Sequence, residues 1–134
     1  MKKEVNIASE WLAGRVVPGY HNGTVFGFPT ANIALEVPTV IEKGVYAVCV
    51  RARGLHYGGM MYVGTRPTLQ LEAFTIEIHL FGFEGDLYGE DILFRIVGKI
   101  REEHQFESTE ALIRQLSADK ITALEMLAHG ETGI

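Results

Sequence analysis

The sequence has a single cysteine, Cys49, so an intrachain disulfide and a thiolate metal cluster are both excluded, and a reducing, cytoplasmic setting is the expectation. No apolar run approaches the roughly 20 residues that a membrane-spanning helix needs, so no membrane partner is expected. The lysines that follow Met1 are not succeeded by an apolar stretch, and no secretory leader is read there. A basic tract is also missing. Twelve Lys and Arg stand against 17 Asp and Glu, a net charge of −5, which argues against a nucleic-acid backbone as partner. A mononucleotide, which needs only local donors, stays open. There is no Walker loop, no Gly-x-Gly-x-x-Gly fingerprint and no nucleophile elbow. Nor is there an internal repeat or a long linker, so the 134 residues, 47% of them hydrophobic, read as one globular domain over 1–134.

The most informative stretch is Gly27-Phe28-Pro29-Thr30-Ala31-Asn32. Pro29 sets its own φ and pushes Phe28 into an extended conformation. Thr30 and Asn32 lie two apart, so on an extended backbone their side chains point the same way. A hydroxyl and an amide oxygen side by side are hard ligands, suited to Mg²⁺ and phosphate oxygens. An ordinary turn, rich in Pro, Asn and Thr, is the other reading.

Along the chain, residues 1–10 read as a loose lead-in and 11–17 as a first strand. Residues 19–27 carry three glycines, at 19, 23 and 27, and read as a mobile loop. Strands are expected at 33–37, 44–53 and 57–63, the last two as a hairpin about Gly54. Residues 64–68 read as a turn-rich loop. In 74–81, Phe74, Ile76, Ile78 and Leu80 alternate with Thr75, Glu77, His79 and Phe81, which puts an apolar face against a polar one. A further strand is expected at 92–101. Short strands separated by Gly and Pro suggest a small antiparallel barrel or sandwich. The period then becomes helical over 108–129, with Ser108 as N-cap, Glu110 in the first turn, and Leu112, Ile113, Leu116, Leu124 and Leu127 as the apolar stripe. Gly130 is the expected stop. Ser117 and Asp119 interrupt the stripe and could cap a second short helix.

Glu77 is the sharpest single residue, because a mid-strand carboxylate needs a reason. It either faces solvent or serves a cleft as general base or metal-linked carboxylate. His79 shares its face, but two ligands without a third make a weak metal site, and a hydrogen-bonding His79 is favoured over a zinc ligand. At the end of the last strand, Arg101 near Phe106 could grip a planar polar ligand by stacking and forked hydrogen bonds. A charged strand end with Phe106 packed on the helix is the alternative.

Taken in order, Gly14-Arg15-Val16-Val17, Gly27-Phe28-Pro29-Thr30-Ala31-Asn32, Gly44-Val45-Tyr46, Gly64-Thr65-Arg66-Pro67-Thr68, Ile76-Glu77-Ile78-His79, Asp86-Leu87-Tyr88-Gly89 and Arg101-x-Glu103-x-x-Phe106 resemble the riboflavin kinase family, over residues 14–128. In bacteria this is usually the C-terminal module of a bifunctional FAD synthetase. The resemblance implies a six-stranded antiparallel Greek-key barrel with a C-terminal helix. It implies transfer of the ATP γ-phosphate to the riboflavin 5′-hydroxyl, giving FMN and ADP, with Mg²⁺, or Zn²⁺ or Mn²⁺ in its place. It implies Glu77 as base, Thr30 and Asn32 at the metal and nucleotide phosphates, Gly19 and Thr24 in the loop over those phosphates, and Tyr88 near the nucleotide. Arg101, His104 and Phe106 would line the flavin site.

The sequence departs from that pattern at Thr24, where the family carries Lys or Arg, and at Tyr62, where it tends to carry Asn. Residues 19–27 contain no Lys or Arg, so phosphate charge would rest on the metal, backbone N–H groups or a residue from elsewhere. A flavin- or nucleotide-binding module of the same fold without catalysis is the alternative. The chain is expected to act as a monomer, or to be fused to or excised from an FMN adenylyltransferase domain, and not itself to make FAD.

Overall fold

Each long strand has one face apolar enough to fill an interior, and antiparallel pairing lets the other face meet solvent. The computed structural model describes residues 3–4, 10–18, 27–67 and 72–132. The strands are β1 (Lys3–Glu4), β2 (Trp11–Val17), β3 (Ala31–Leu35), β4 (Thr39–Val40), β5 (Gly44–Ala52), β6 (Leu55–Pro67), β7 (Glu72–Leu80) and β8 (Asp91–Arg101), followed by the helix α1 (Thr109–Thr132). Six of them close into a barrel in the order β2-β3-β7-β6-β5-β8, with antiparallel pairs throughout. This is the mainly β, six-stranded barrel with one C-terminal helix that the resemblance implies. No helix among the described residues is long and apolar enough to cross a membrane.

The barrel interior is filled by alternate residues: Tyr46, Val48 and Val50 from β5, Met61 and Val63 from β6, Ile76, Ile78 and Leu80 from β7, and Ile92, Phe94 and Ile96 from β8. β5 is buried on both faces, because its outward residues Ala47 and Cys49 lie beneath α1, in a second cluster with Met60, Ala123 and Leu127. Gly58 permits that approach, since a Cβ there would lie 2.7 Å from Leu127 Cδ1.

Several boundaries differ from the sequence reading. The strand expected at 33–37 runs from Ala31 to Leu35, since Ala31 and Asn32 already pair with Ile78 and Glu77. Residues 64–67 are not a loop but the end of β6, paired with Thr75, Phe74, Ala73 and Glu72. Phe74 is 56% exposed rather than in the core, and Phe81 follows the strand in a turn. Lys3 and Glu4, within the expected loose lead-in, pair in parallel with Thr39 and Val40. Residues 19–26, including Gly19 and Thr24 and most of the expected mobile loop, and Thr68 lie outside the described residues.

The C-terminal segment is one helix, not two. Ser108 caps it as expected: its Oγ accepts from the Ala111 N–H at 3.1 Å, and its carbonyl from the Leu112 N–H at 3.1 Å. The helix continues through Gly130 to Thr132, since glycine weakens a helix without ending it. The seated face is Leu116, Asp119, Ala123 and Leu127, at helical spacings of three and four. Ile113 and Leu124 lie off that face, 37% and 47% exposed. Asp119, read from sequence as an interruption, is 1% exposed. It receives Arg101 Nε on both carboxylate oxygens at 3.0 Å and Gln115 Nε2 at 2.8 Å.

Removing one partner of a buried ion pair strands the other charge and costs about 3–5 kcal/mol. Asp119→Ala is therefore expected to lower the unfolding free energy by an amount near that range. Urea denaturation checks this, and a loss below about 1 kcal/mol would show that the pair does not anchor α1.

Candidate functional site

The pleat of β7 builds the site. Ile76 and Ile78 point into the barrel, so Thr75, Glu77 and His79 must point out of it. Directly opposed residues in neighbouring antiparallel strands share a face, and Glu77 is opposed by Asn32 on β3 and by Tyr62 on β6. Two side chains of β7 hold the turn that leads into β3. The Thr30 hydroxyl donates to Glu77 Oε1 at 2.8 Å. His79 Nδ1 lies 2.7 Å from the Pro29 carbonyl oxygen, and since a carbonyl only accepts, Nδ1 carries the proton. The His79 ring is packed edge-on against Phe28 and Phe81, at 5.4 and 5.6 Å between centroids.

On one side of Glu77, a cleft of about 630 Å³ opens at the end of the barrel. Its walls are the end of β2 (Val16, Val17, Pro18), the turn Pro29, Thr30, Ala31 and Asn32, and the β7–β8 loop (Phe83, Gly85, Asp86, Leu87, Tyr88). Tyr88 is exposed, and its N–H is fixed by Asp86 Oδ1 at 2.8 Å. Thr30, Asn32 and Tyr88 thus share one cavity. No lysine or arginine is among the described residues that line it.

On the other side, the segment after β8 brings Arg101, His104 and Phe106 together. The Arg101 guanidinium lies 5.4 Å from the Phe106 ring, and His104 meets Phe106 edge-on at 4.8 Å. Tyr62 lies between this group and Glu77. Burial, foremost, pushes its phenol pKa far up; Asp119 and Glu77 add to this and Arg101 opposes it. The same segment approaches β6, for a Cβ at Gly64 would lie 3.7 Å from Glu103 Oε1.

A family model, described as riboflavin kinase, matches residues 9–127. The chain belongs to the riboflavin kinase family. It is 42% identical over 110 residues to the RNA-binding riboflavin kinase RibR of Bacillus subtilis, covering 81% of this chain and 47% of that protein. It is 41% identical over 115 residues to the bifunctional riboflavin kinase/FMN adenylyltransferase of Escherichia coli, covering 85% of this chain and 37% of that protein. The chain therefore spans less than half the length of these relatives. Among solved structures, riboflavin kinase from Trypanosoma brucei superposes with a TM-score of 0.60 at 24% identity, over 88% of this chain and 79% of that one, a likeness of fold. A Streptococcus pneumoniae chain described as a macrolide-efflux protein superposes at 0.79, with 34% identity, over 84% of this chain and 38% of that one.

Of the family's positions read in the sequence, the fold thus gathers Thr30, Asn32 and Tyr88 at the cleft, and Arg101, His104 and Phe106 beyond Tyr62, with Glu77 between. Sequence reasoning missed Asp119, whose signal was a carboxylate in register with the buried helix positions 116, 123 and 127. His79 is the hydrogen-bonding residue it was read to be. Among the described residues no three His, Cys, Asp or Glu side chains cluster as a metal cage. The oxygens available beside the cleft, from Thr30, Asn32 and Glu77, are hard donors and fit Mg²⁺ or Mn²⁺ better than a soft ion.

Burial holds the His79 pKa below its ordinary 6.5; the Pro29 carbonyl opposes that shift and Lys120 adds to it. The unfolded chain therefore takes up this proton first. The stability associated with neutral His79 is complete above about pH 6.5 and is lost as pH falls toward the lower folded value. His79→Phe, which keeps an aromatic ring, is expected to lose less stability between about pH 7.5 and pH 5 than the wild type. Urea midpoints at the two pH values check this; equal losses would show that His79 does not titrate in that window.

Proposed function

We propose that this chain is a riboflavin kinase that transfers the ATP γ-phosphoryl group to the 5′-hydroxyl of riboflavin, giving FMN and ADP. The observation that carries the reading is the Thr30–Glu77 hydrogen bond of 2.8 Å, which joins the cleft's hydroxyl-and-amide turn to the strand carboxylate. Phosphoryl transfer depends mostly on positioning and charge neutralisation, and a base must stand where the acceptor meets the phosphate. Glu77 lies at that meeting point between the two halves of the site.

In this reading the cleft holds the nucleotide, with Tyr88 at its outer wall and its phosphates toward Thr30 and Asn32. Gly19 and Thr24 belong to the loop over the phosphates. Arg101 and His104 hold the flavin's polar edge and Phe106 its ring face. The Thr30 bond orients the Glu77 carboxylate, whose free oxygen takes the proton of the 5′-hydroxyl as that oxygen attacks phosphorus; the departing group is ADP. Thr30 and Asn32 would hold a divalent cation, which supplies neutralisation of phosphate charge. One copy of the chain carries both halves, so a monomer suffices. The family model that matches residues 9–127 is described as riboflavin kinase, and the kinase step is the one we assign to these residues.

One observation favours a second reading, a binding module without turnover: the described cleft lining contains no Lys or Arg and does contain Asp86. Incubation with riboflavin and MgATP separates the two. Production of FMN and ADP supports the kinase; binding without product supports the module.

Thr30→Ala and Asn32→Ala are expected to weaken MgATP binding while the barrel stays folded, which calorimetry and circular dichroism check together. Glu77→Gln keeps the shape of the side chain but cannot accept the proton. Its kcat is expected to fall by about 10²- to 10⁴-fold, with little change in ligand affinity. Turnover within about threefold of wild type at saturating substrates would remove Glu77 as the base.

A further inference from the structure

The β5–β6 hairpin closes through two residues, Arg53 and Gly54, between the paired Ala52 and Leu55. Both have positive φ, 53° and 74°. A two-residue turn of this kind favours Asn-Gly, Asp-Gly or Gly-Gly, because the Cβ of a larger residue crowds the following carbonyl oxygen. Arginine is therefore a strained choice there.

Its side chain reaches across to the β7–β8 loop. Arg53 Nε lies 3.0 and 3.1 Å from the two Glu90 carboxylate oxygens, and Nη2 donates to the Asp86 carbonyl at 2.6 Å. The guanidinium also stands 5.8 Å from the Phe83 ring. These three points bracket the loop. Gly82, Gly85 and Gly89 within it have φ of 72°, 116° and 81°, so its backbone is little constrained by its own side chains. At its far end, backbone hydrogen bonds tie it to Val16: Val16 N–H to Glu90 O and Gly89 N–H to Val16 O, both 2.9 Å. The strapped loop forms one wall of the cleft. Side chains of the Arg53–Glu90 pair are 49% and 36% exposed, a setting in which ion pairs add little to global stability. Residues other than glycine held at positive φ gather where function requires them.

We propose that Arg53 is a positioning residue, which straps the β7–β8 loop as a wall of the cleft and so raises affinity for the nucleoside triphosphate without touching it. The proposal rests on reading the cleft as the nucleotide site. Arg53→Asn tests it, since Asn-Gly suits the turn better than Arg-Gly while the strap is lost. The expected result is an unchanged or higher Tm together with a KM for MgATP raised by about tenfold, and a riboflavin KM within about twofold of wild type. Amide hydrogen exchange across residues 81–90 should quicken, while that of β5 stays slow. Glu90→Gln, which leaves the turn untouched, should shift the MgATP KM in the same direction by a smaller factor. An unchanged MgATP KM in both variants overturns the proposal. So does a fall in Tm with both KM values rising together, which would make Arg53 a general stabiliser. If the wild type makes no FMN, the kinase reading fails, and MgADP titration with hydrogen exchange still reports whether Arg53 holds the loop and its ligand.

Discussion

The outward half of β7 is the constraint on which the site depends. Ile76, Ile78 and Leu80 are drawn into the barrel by burial, and a strand can only point its alternate residues the other way. Thr75, Glu77 and His79 therefore stand in a row on the outer face. Two of them reach the same short turn, Glu77 through the Thr30 hydroxyl and His79 through the Pro29 carbonyl. Pro29 has little backbone freedom of its own, so these contacts hold a turn that is already stiff. The core thus sets the direction of Glu77, because a one-residue slip in β7 would bury Glu77 and expose the isoleucines.

Beyond Tyr62 the corresponding anchor is the buried Asp119. It receives the Arg101 fork and Gln115, and it couples the end of β8 to α1. Arg101 presents its planar group toward Phe106 while its Nε is held by the carboxylate. A guanidinium so held loses little rotamer freedom when a planar ligand arrives. The helix therefore does more than cover Ala47, Cys49 and Met60: it carries the counter-charge for Arg101 at the end of β8.

The two sides of Glu77 are organised differently. The Arg101 side is tied by a buried ion pair. The cleft side is closed by a glycine-rich loop, tied by backbone hydrogen bonds to Val16 and by the exposed Arg53 side chain. An exposed contact across a flexible segment alters local order more than global stability.

Much of this was legible in the chain itself. The alternation of Ile76, Ile78 and Leu80 with Thr75, Glu77 and His79 determined which face of the strand is polar, since the period of two belongs to the backbone. The adjacency of Pro29, Thr30 and Asn32, and the cap at Ser108, were equally local. Other features were decided only by tertiary structure. Residues 64–67 read as a turn because of Gly64 and Pro67, yet partners in β7 extend the ladder through them. Ile113 and Leu124 look like core residues, and the seating of α1 on Gly58 leaves them outside. Asp119 looks like a helix break until Arg101, 18 positions away in sequence, supplies its charge. The meeting of Arg53 with Glu90, 37 positions apart, leaves no local trace at all. Local sequence carries periodicity and turn chemistry; which charges meet across the barrel depends on strand order and register, which only the closed sheet determines.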